Sequence, residues 1–288
     1  MDALLPKALS LTLAVFLIGS LLEVGLKLDV GAALRALRNV RFMALSVVWG
    51  YALCPALAWA LTKVMPLPQA YADGMLFLSM APCAPFFPMA AQKAKGDLAY
   101  MAAFTLLTSV CTVIYMPLVT PWLVSGLAAD AWLIARPLIF LILAPMILGA
   151  ALRLANRTLA EKIHPVCRKA TLVSIVFMLG LVLWIYRANL AAMVGTWAIA
   201  TQFLFYSSVT AASYLSASGL PHSQKSVLAL GVSTRNIGAA IAPLLAIAGT
   251  DPRTIAMAVM AVPVTVFCAF GAAPLLARLQ PAEGKAGS

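Results

Sequence analysis

The chain has 288 residues, of which 63% are hydrophobic and only 10% are charged, and its mean hydropathy is +0.98. Soluble domains carry about 25% charged residues, so this composition excludes an ordinary soluble protein and predicts several membrane spans. The formal net charge of +11 does not indicate a nucleic-acid partner, because most basic residues fall between the apolar segments.

Apolar segments long enough to cross a bilayer follow one another along the sequence. The first has no small-residue cleavage site, so it is expected to be a span and not a cleaved signal peptide. The predicted fold class is an all-α polytopic membrane protein with about nine transmembrane helices. The expected spans are approximately 8–28, 42–64, 71–92, 98–124, 132–154, 170–186, 190–215, 226–248 and 254–276, followed by a disordered tail at 280–288.

Basic residues accumulate on one side of this topology, which the positive-inside rule places in the cytoplasm. The sequence therefore predicts an integral protein of a bacterial inner membrane, with the N-terminus outside and the C-terminus in the cytoplasm. The other side holds only Lys7, Lys63, Arg136, Arg187 and Arg253. The cytoplasmic side holds Lys27, Arg35, Arg38, Arg41, Lys93, Lys95, Arg153, Arg157, Lys162, Arg168, Lys169, Lys225, Arg278 and Lys285.

The cysteines and histidines form no metal or disulfide pattern. The five cysteines are scattered without any C-x-x-C spacing, and His164 and His222 stand alone. We therefore expect no structural metal and no cofactor. No H-E-x-x-H motif or paired intramembrane aspartates are present, so the sequence does not predict an enzyme.

Two of the expected spans are interrupted near their centres. The third contains Pro82, Pro85 and Pro88, and the eighth contains Thr234-Arg235-Asn236 between Gly231 and Gly238. Proline and glycine loosen membrane helices, and paired broken helices are typical of transporters with internal repeats. Asp97 and Asp251 follow the interrupted spans and should open the next ones. The broken spans lie five apart and so run in opposite directions, which predicts inverted repeats whose broken helices cross at the site.

Arg235 is the most informative single residue, because a charge at membrane depth is expensive and usually functional. Acids within the spans are few: Glu23 lies near the cytoplasmic end of the first span, and the others are in loops, tails or span ends. A structural ion pair is therefore the weaker interpretation. A guanidinium can bind a carboxylate, sulfonate or sulfate through two parallel hydrogen bonds. The candidate substrate-binding residues are Arg235, Asn236, Thr234, Ser233, Cys83 and Pro85, and the predicted helix-break residues are Pro82, Pro85, Pro88, Gly231 and Gly238.

Three motifs resemble the bile acid:sodium symporter superfamily across nearly the whole chain. They are Gly25-Leu26-Lys27-Leu28, the run Ala81-Pro82-Cys83-Ala84-Pro85-Phe86-Phe87-Pro88, and Thr234-Arg235-Asn236-Ile237-Gly238-Ala239-Ala240. The resemblance implies a panel domain at approximately 8–28 and 132–187. It also implies a core domain at approximately 42–124 and 190–276, in which the two broken helices cross.

The resemblance also implies positions for sodium ligands, and most of them are changed here. The family's Ser-Asn pair falls on Phe87 and Pro88, and its Ser and Thr fall on Met101 and Thr105. Its Glu-x-x-x-Gln-Asn falls on Gly231, Arg235 and Asn236, so only Thr105 and Asn236 match. A degenerate ion site is therefore expected, with candidate residues Thr105, Thr108, Ser109, Gln92 and Asn236, and Na+ coupling stays open.

The predicted function is a secondary transporter that moves a small organic anion across a lipid bilayer by alternating access. In one variant of this hypothesis Arg235 takes the place of a bound cation, which leaves a uniporter or a proton-linked carrier. A second hypothesis is a metalloid efflux carrier that uses Cys83 in the broken helix. A third is a non-transporting receptor or scaffold on a carrier fold.

Overall fold

The computed structural model describes residues 4–81, 83–123, 130–247 and 249–280. Within these ranges the chain is almost entirely helical and contains no β-strand, and seven of its helices are long and apolar enough to cross a membrane. The protein is thus an all-α polytopic membrane protein, as the composition predicts. Pro82 and the expected tail after Gln280 lie outside the described residues.

The helices are numbered here in chain order. Their bounds are α1 Leu4–Lys27, α2 Val30–Leu37, α3 Val40–Val64, α4 Gln69–Ser79, α5 Phe87–Lys93, α6 Leu98–Leu123, α7 Ala131–Ala155, α8 Arg157–Ile185, α9 Arg187–Ala191, α10 Ala198–Ser216, α11 His222–Ser233, α12 Ile237–Ala246 and α13 Pro252–Arg278. Two of these helices widen into a π-helical turn, at Trp49–Leu53 in α3 and at Ile139–Leu143 in α7.

Three expected boundaries differ from the structure. The third span is two separate helices, α4 and α5, and the seventh is divided into α9 and α10. The sixth begins at Arg157 and not near residue 170, because Asn156 caps the helix with its side chain and the chain stays helical through charged residues. Hydropathy marks only the part of a helix that faces an apolar environment, so it understates such helices.

The first group of helices is formed by α1, α7 and α8, which pack against one another. The approach of α1 to α7 is very close, since a Cβ on Gly149 would lie 2.5 Å from the carbonyl oxygen of Leu22. Arg153 Nη1 donates to the carbonyl oxygen of Leu26 at 3.0 Å, which satisfies the C-terminal end of α1. Small residues at such crossings let helix backbones approach in a membrane protein.

The second group of helices surrounds α11 and α12. Helix α13 packs on α4, α10 and α5, while α11 packs on α10 and α6. The most apolar 18 residues of the stretch His222–Ala246 are all buried. Of the most apolar 18 residues of α8, only 17% are buried. The interrupted pair α11–α12 therefore lies at the centre of the molecule and α8 at its surface.

The internal repeat is visible in local structure. Helix α4 ends at Ser79 and α11 at Ser233, while Asp97 and Asp251 cap α6 and α13 with their side chains. A residue with positive φ stands two positions before each aspartate: Lys95 at 57° and Gly249 at 79°. All three pairs have the same sequence offset, so α4–α6 and α11–α13 are equivalent units.

Candidate functional site

The two interrupted helices meet at their breaks. The backbone N–H of Asn236 donates to the carbonyl oxygen of Ala81 at 2.8 Å, and Nη1 of Arg235 donates to the carbonyl oxygen of Ser79 at 3.0 Å. Residues at a helix break expose backbone groups that need partners, especially in a membrane. Each break here supplies partners for the other, so the crossing is a bonded junction.

The side chain of Arg235 is fully buried on one side of this junction. Its guanidinium carbon lies 5.5 Å from the ring centroid of Phe205, a cation–π distance. The thiol of Cys54 lies within reach of the guanidinium and also 3.9 Å from the carbonyl oxygen of Val232. Nε and Nη2 of Arg235 have no hydrogen-bond partner among the described residues. Among the described residues, the guanidinium of Arg235 thus makes its strong hydrogen bond to the C-terminal end of α4.

The polar residues next to Arg235 bond mainly within their own helices. Thr234 Oγ1 donates to the carbonyl oxygen of Leu230 at 2.8 Å, and Ser233 Oγ donates to the same oxygen at 3.4 Å. Asn236 Oδ1 accepts the backbone N–H of Ala239 at 3.0 Å and so caps α12. These bonds give all three residues a role in shaping the break.

The predicted break residues take different places. Pro85 lies in the turn between α4 and α5, and Pro88 is in the first turn of α5, where a proline is favourable. Gly231 and Gly238 lie inside α11 and α12, and the interruption itself spans 234–236. A Cβ on Gly231 would lie 2.6 Å from the ring of Phe104, so this glycine provides space for packing.

A small cavity lies against the junction, on the side that faces α1 and α7. It has a volume of about 10 Å³, about the space for one water molecule. Asn236, Cys83 and Pro85 line it, whereas Arg235 does not. Its other lining residues come from α1, from the break after α4, and from α5, α6, α7 and α12: Leu21, Val24, Ala84, Pro88, Thr105, Ser109, Thr112, Ile142 and Ala239. The two helix groups are therefore in contact around a nearly closed site.

Two of the predicted ion-site residues, Thr105 and Ser109, line this cavity. Thr105 Oγ1 bonds to the carbonyl oxygen of Met101 at 2.9 Å. Thr108 lies directly behind, with its Oγ1 3.6 Å from the Cys83 thiol. Gln92 does not join them, because it is exposed near the end of α5. The structure thus brings together most of the predicted polar residues and leaves Gln92 outside.

Sequence reasoning missed several residues of the site. Tyr51 is a buried residue whose hydroxyl donates to the carbonyl oxygen of Thr108 at 2.7 Å. Tyr51 lies in the π-helical turn of α3, and the cavity residue Ile142 lies in that of α7. Each turn ends two residues before a proline, Pro55 in α3 and Pro145 in α7. A proline lacks the N–H that continues the helix, and wide turns recur at functional sites. A proline inside a span was therefore the sequence feature that could have indicated these wide turns.

The comparison with known families agrees with this architecture. A sequence profile of the Sodium Bile acid symporter family matches residues 13–194. The chain belongs to this family. The matched region of this family member contains α4, α5 and α6 and ends before α10, so it does not include the stretch around Arg235. The family is named for symporters, which are membrane transporters.

A curated relative comes from Arabidopsis thaliana and is named "Probable sodium/metabolite cotransporter BASS3, chloroplastic". It is 22% identical over 197 residues, which cover 68% of this chain and 46% of the relative. The chain thus spans about half the length of the curated relative that it matches.

Proposed function

We propose that this protein is a secondary transporter that moves a small organic anion by alternating access. The observation that carries the proposal is the bonded junction of two broken helices beside a cavity, with Asn236 contributing to both. In secondary transporters, substrates bind near the bilayer midplane where discontinuous helices of internal repeats meet. A cavity of about 10 Å³ is too small for an organic solute, so substrate binding requires the cavity to widen.

The moving parts in this proposal are the two groups of helices. The panel consists of approximately 8–28 and 132–187, and the core of approximately 42–124 and 190–276. Packing among α1, α7 and α8 supports the first unit, and packing of α13 on α4 and α10 supports the second. The cavity lies between them, lined by Leu21 and Ile142 from the panel and by Asn236 from the core.

The preference for an anion follows from charge. None of the described residues that line the cavity is a carboxylate, and the N-terminal end of α12 reaches it at Asn236 and Ala239. A helix N-terminus carries a positive partial charge and favours anions. Arg235 does not line the cavity in this conformation. Its charge offsets the negative ends of α4 and α11 on the other side of the junction, and this adds to the preference for an anion.

The proposal also includes the membrane in which the protein lies and the ion to which transport is coupled. The distribution of lysine and arginine supports a bacterial inner membrane with the N-terminus outside and the C-terminus in the cytoplasm. The Arabidopsis relative is named a probable sodium/metabolite cotransporter, which supports a cation-coupled cycle for this chain. We propose that a coupling ion binds on the cavity side of the junction, near Thr105, Ser109 and Asn236.

Uptake into proteoliposomes tests the function. Radiolabelled monocarboxylates, dicarboxylates and sulfonates are compared with neutral sugars and organic cations, each in sodium and in choline salts. Ser109→Leu fills the cavity and is expected to abolish uptake, while Gln92→Leu, at an exposed site, is expected to leave it unchanged. Uptake of a neutral or cationic solute in preference to every anion would refute the anion assignment. Absence of any uptake would favour the receptor or scaffold hypothesis.

A metalloid efflux carrier is the second candidate, because the Cys83 thiol lines the cavity and could bind a metalloid. Arsenite is neutral at pH 7, so the positive N-terminal end of α12 would not favour its binding. Expression in a metalloid-sensitive strain gives the test. Resistance that disappears in Cys83→Ser, with uptake of organic anions absent, would make this the better assignment.

A further inference from the structure

The negative ends of two helices converge on Arg235. Helix α4 ends at Ser79, whose carbonyl oxygen accepts from Nη1 of Arg235, and α11 ends at Ser233, two positions before Arg235 itself. Helix α4 has 11 residues and α11 has 12. The C-terminus of such a helix carries about half an elementary negative charge. The two ends together therefore offset roughly one guanidinium.

Within the described part of the chain, no other charged group neutralises Arg235. Among the described residues no carboxylate lies within ion-pair distance of Arg235, and the three ion pairs of those residues all lie elsewhere. A buried charge without compensation is strongly unfavourable, so the helix ends must supply the compensation. Half-helix C-terminal ends and unwound carbonyls are the groups that coordinate free monovalent cations in other transporters.

Hydrogen bonding alone does not explain the position of the guanidinium. Nε and Nη2 are buried without partners, and so is the hydroxyl of Tyr206, an electrostatic neighbour of Arg235. Without the guanidinium, the carbonyl oxygen of Ser79 would lose its partner, and the C-terminal ends of α4 and α11 would keep their negative potential. Oxygen ligands in a region of negative potential suit a hard cation.

We infer that Arg235 is a resident cation of the junction, so that this locus needs no free metal ion, and that neutralising Arg235 creates a binding site for a monovalent cation. The guanidinium is a positioning group: it holds the ends of α4 and α11 together and removes their negative potential. The inference deepens the proposed function, but cation binding by the variant does not depend on which solute is transported.

Thermal stability in different salts tests this inference. The purified wild-type protein and Arg235→Gln are melted in sodium, potassium and choline chloride at equal ionic strength. Glutamine removes the charge and offers an oxygen. At a sodium concentration about ten times the dissociation constant, we expect the melting temperature of the variant to rise by about 3 °C over its value in choline. The wild type should show a smaller rise or none.

Three further variants make the outcome specific. Arg235→Lys keeps the charge and should respond to sodium no more than the wild type does. Arg187→Gln, at an exposed arginine, should behave like the wild type. Adding Tyr206→Phe to Arg235→Gln removes the unpaired hydroxyl of an electrostatic neighbour of Arg235 and should weaken the sodium response.

Three results would overturn the inference. The first is a sodium response in Arg235→Gln no larger than that of the wild type. The second is an equal response in Arg235→Lys. The third is a failure of Arg235→Gln to fold in every salt, because a free cation then does not replace the guanidinium. Uptake of an organic anion by the wild type is measured separately, so a failed inference and a failed function are distinguishable.

Discussion

Arg235 donates a hydrogen bond to the carbonyl oxygen of Ser79, the last residue of α4, although the two residues are 156 positions apart. Close beside it, the backbone N–H of Asn236 donates to the carbonyl oxygen of Ala81. Both bonds join the break of one repeat to the break of the other. Separating the repeats would leave a buried charge and three buried backbone groups without these partners, which is strongly unfavourable in a membrane.

This relationship determines which motion is available. Because the junction resists separation, α4, α5, α11 and α12 are expected to move as one body. The contacts across the cavity are of a different kind, since Leu21, Val24 and Ile142 offer only apolar side chains to the junction. Apolar contacts slide at little cost when they are exchanged for similar ones. Alternating access is therefore expected to open the cavity at its panel side and to leave the crossing intact.

The two roles of Asn236 can be separated by substitution. Asn236→Ala removes the acceptor that caps α12, and we expect a loss of about 1 kcal/mol, or a fall of about 2–4 °C in melting temperature. Asn236→Asp keeps the cap and suits a helix N-terminus, so stability should be retained. Its carboxylate adds a negative charge to the cavity, however, and uptake of anions should fall about tenfold, equivalent to about 1.4 kcal/mol. Melting curves and initial uptake rates provide the measurements.

Asn156 provides the matched control for this prediction. Its Oδ1 accepts the backbone N–H of Leu159 at 3.0 Å in the same type of cap, but at an exposed site away from the cavity. Asn156→Ala should therefore lose similar stability and transport normally. Wild-type uptake by Asn236→Asp would show that the anion does not bind in this cavity.

The sequence predicted the features that depend on local chemistry. Pro85 and Pro88 marked the first break, and Asp97 and Asp251 indicated the starts of α6 and α13, which their side chains do cap. These signals are readable because each acts on backbone groups a few residues away. The positions of the two breaks were therefore predictable without any knowledge of the tertiary structure.

The direction of the Arg235 side chain was not predictable in the same way. It depends on Ser79 and Phe205, which are distant in sequence and meet it only through tertiary packing. The cavity likewise needs Leu21 and Ile142, whose apolar side chains look like any other lipid-facing or core residue in the sequence. A charge indicates that a site exists, while the surrounding helices decide which way it faces.

The close contact of α1 with α7 leads to a prediction about the rigidity of the panel. A Cβ at Gly149 would lie 2.5 Å from the carbonyl oxygen of Leu22, so Gly149→Ala should force the helices apart and destabilise the protein by about 1–3 kcal/mol. Gly180→Ala, in α8, is the matched control because no heavy atom lies within 4 Å of its Cβ position. That variant should be neutral or up to about 1 kcal/mol more stable. Melting temperatures that do not separate the two variants would contradict the tight crossing.

The thiol of Cys83 should report the opening of the cavity. Cys83 is 7% exposed in the present conformation and lies at the cavity wall, 3.6 Å from Thr108 Oγ1. A variant in which alanine replaces the other cysteines (Cys54, Cys111, Cys167 and Cys268) leaves a single thiol. We expect a hydrophilic maleimide to label it slowly at rest and about tenfold faster while a substrate gradient drives turnover, because the panel must then move away from the junction.

A second single-cysteine variant controls for general changes in reactivity. Cys111 lies on α6 but does not line the cavity, so its labelling rate should be the same with and without substrate. If Cys83 also reacts at an unchanged rate in protein that is transporting, the cavity does not open during the cycle, and the solute must cross elsewhere. If Cys83 alone accelerates, the opening is confined to the side of the junction that faces α1 and α7, where the bonded crossing at Asn236 and Ala81 can persist throughout turnover.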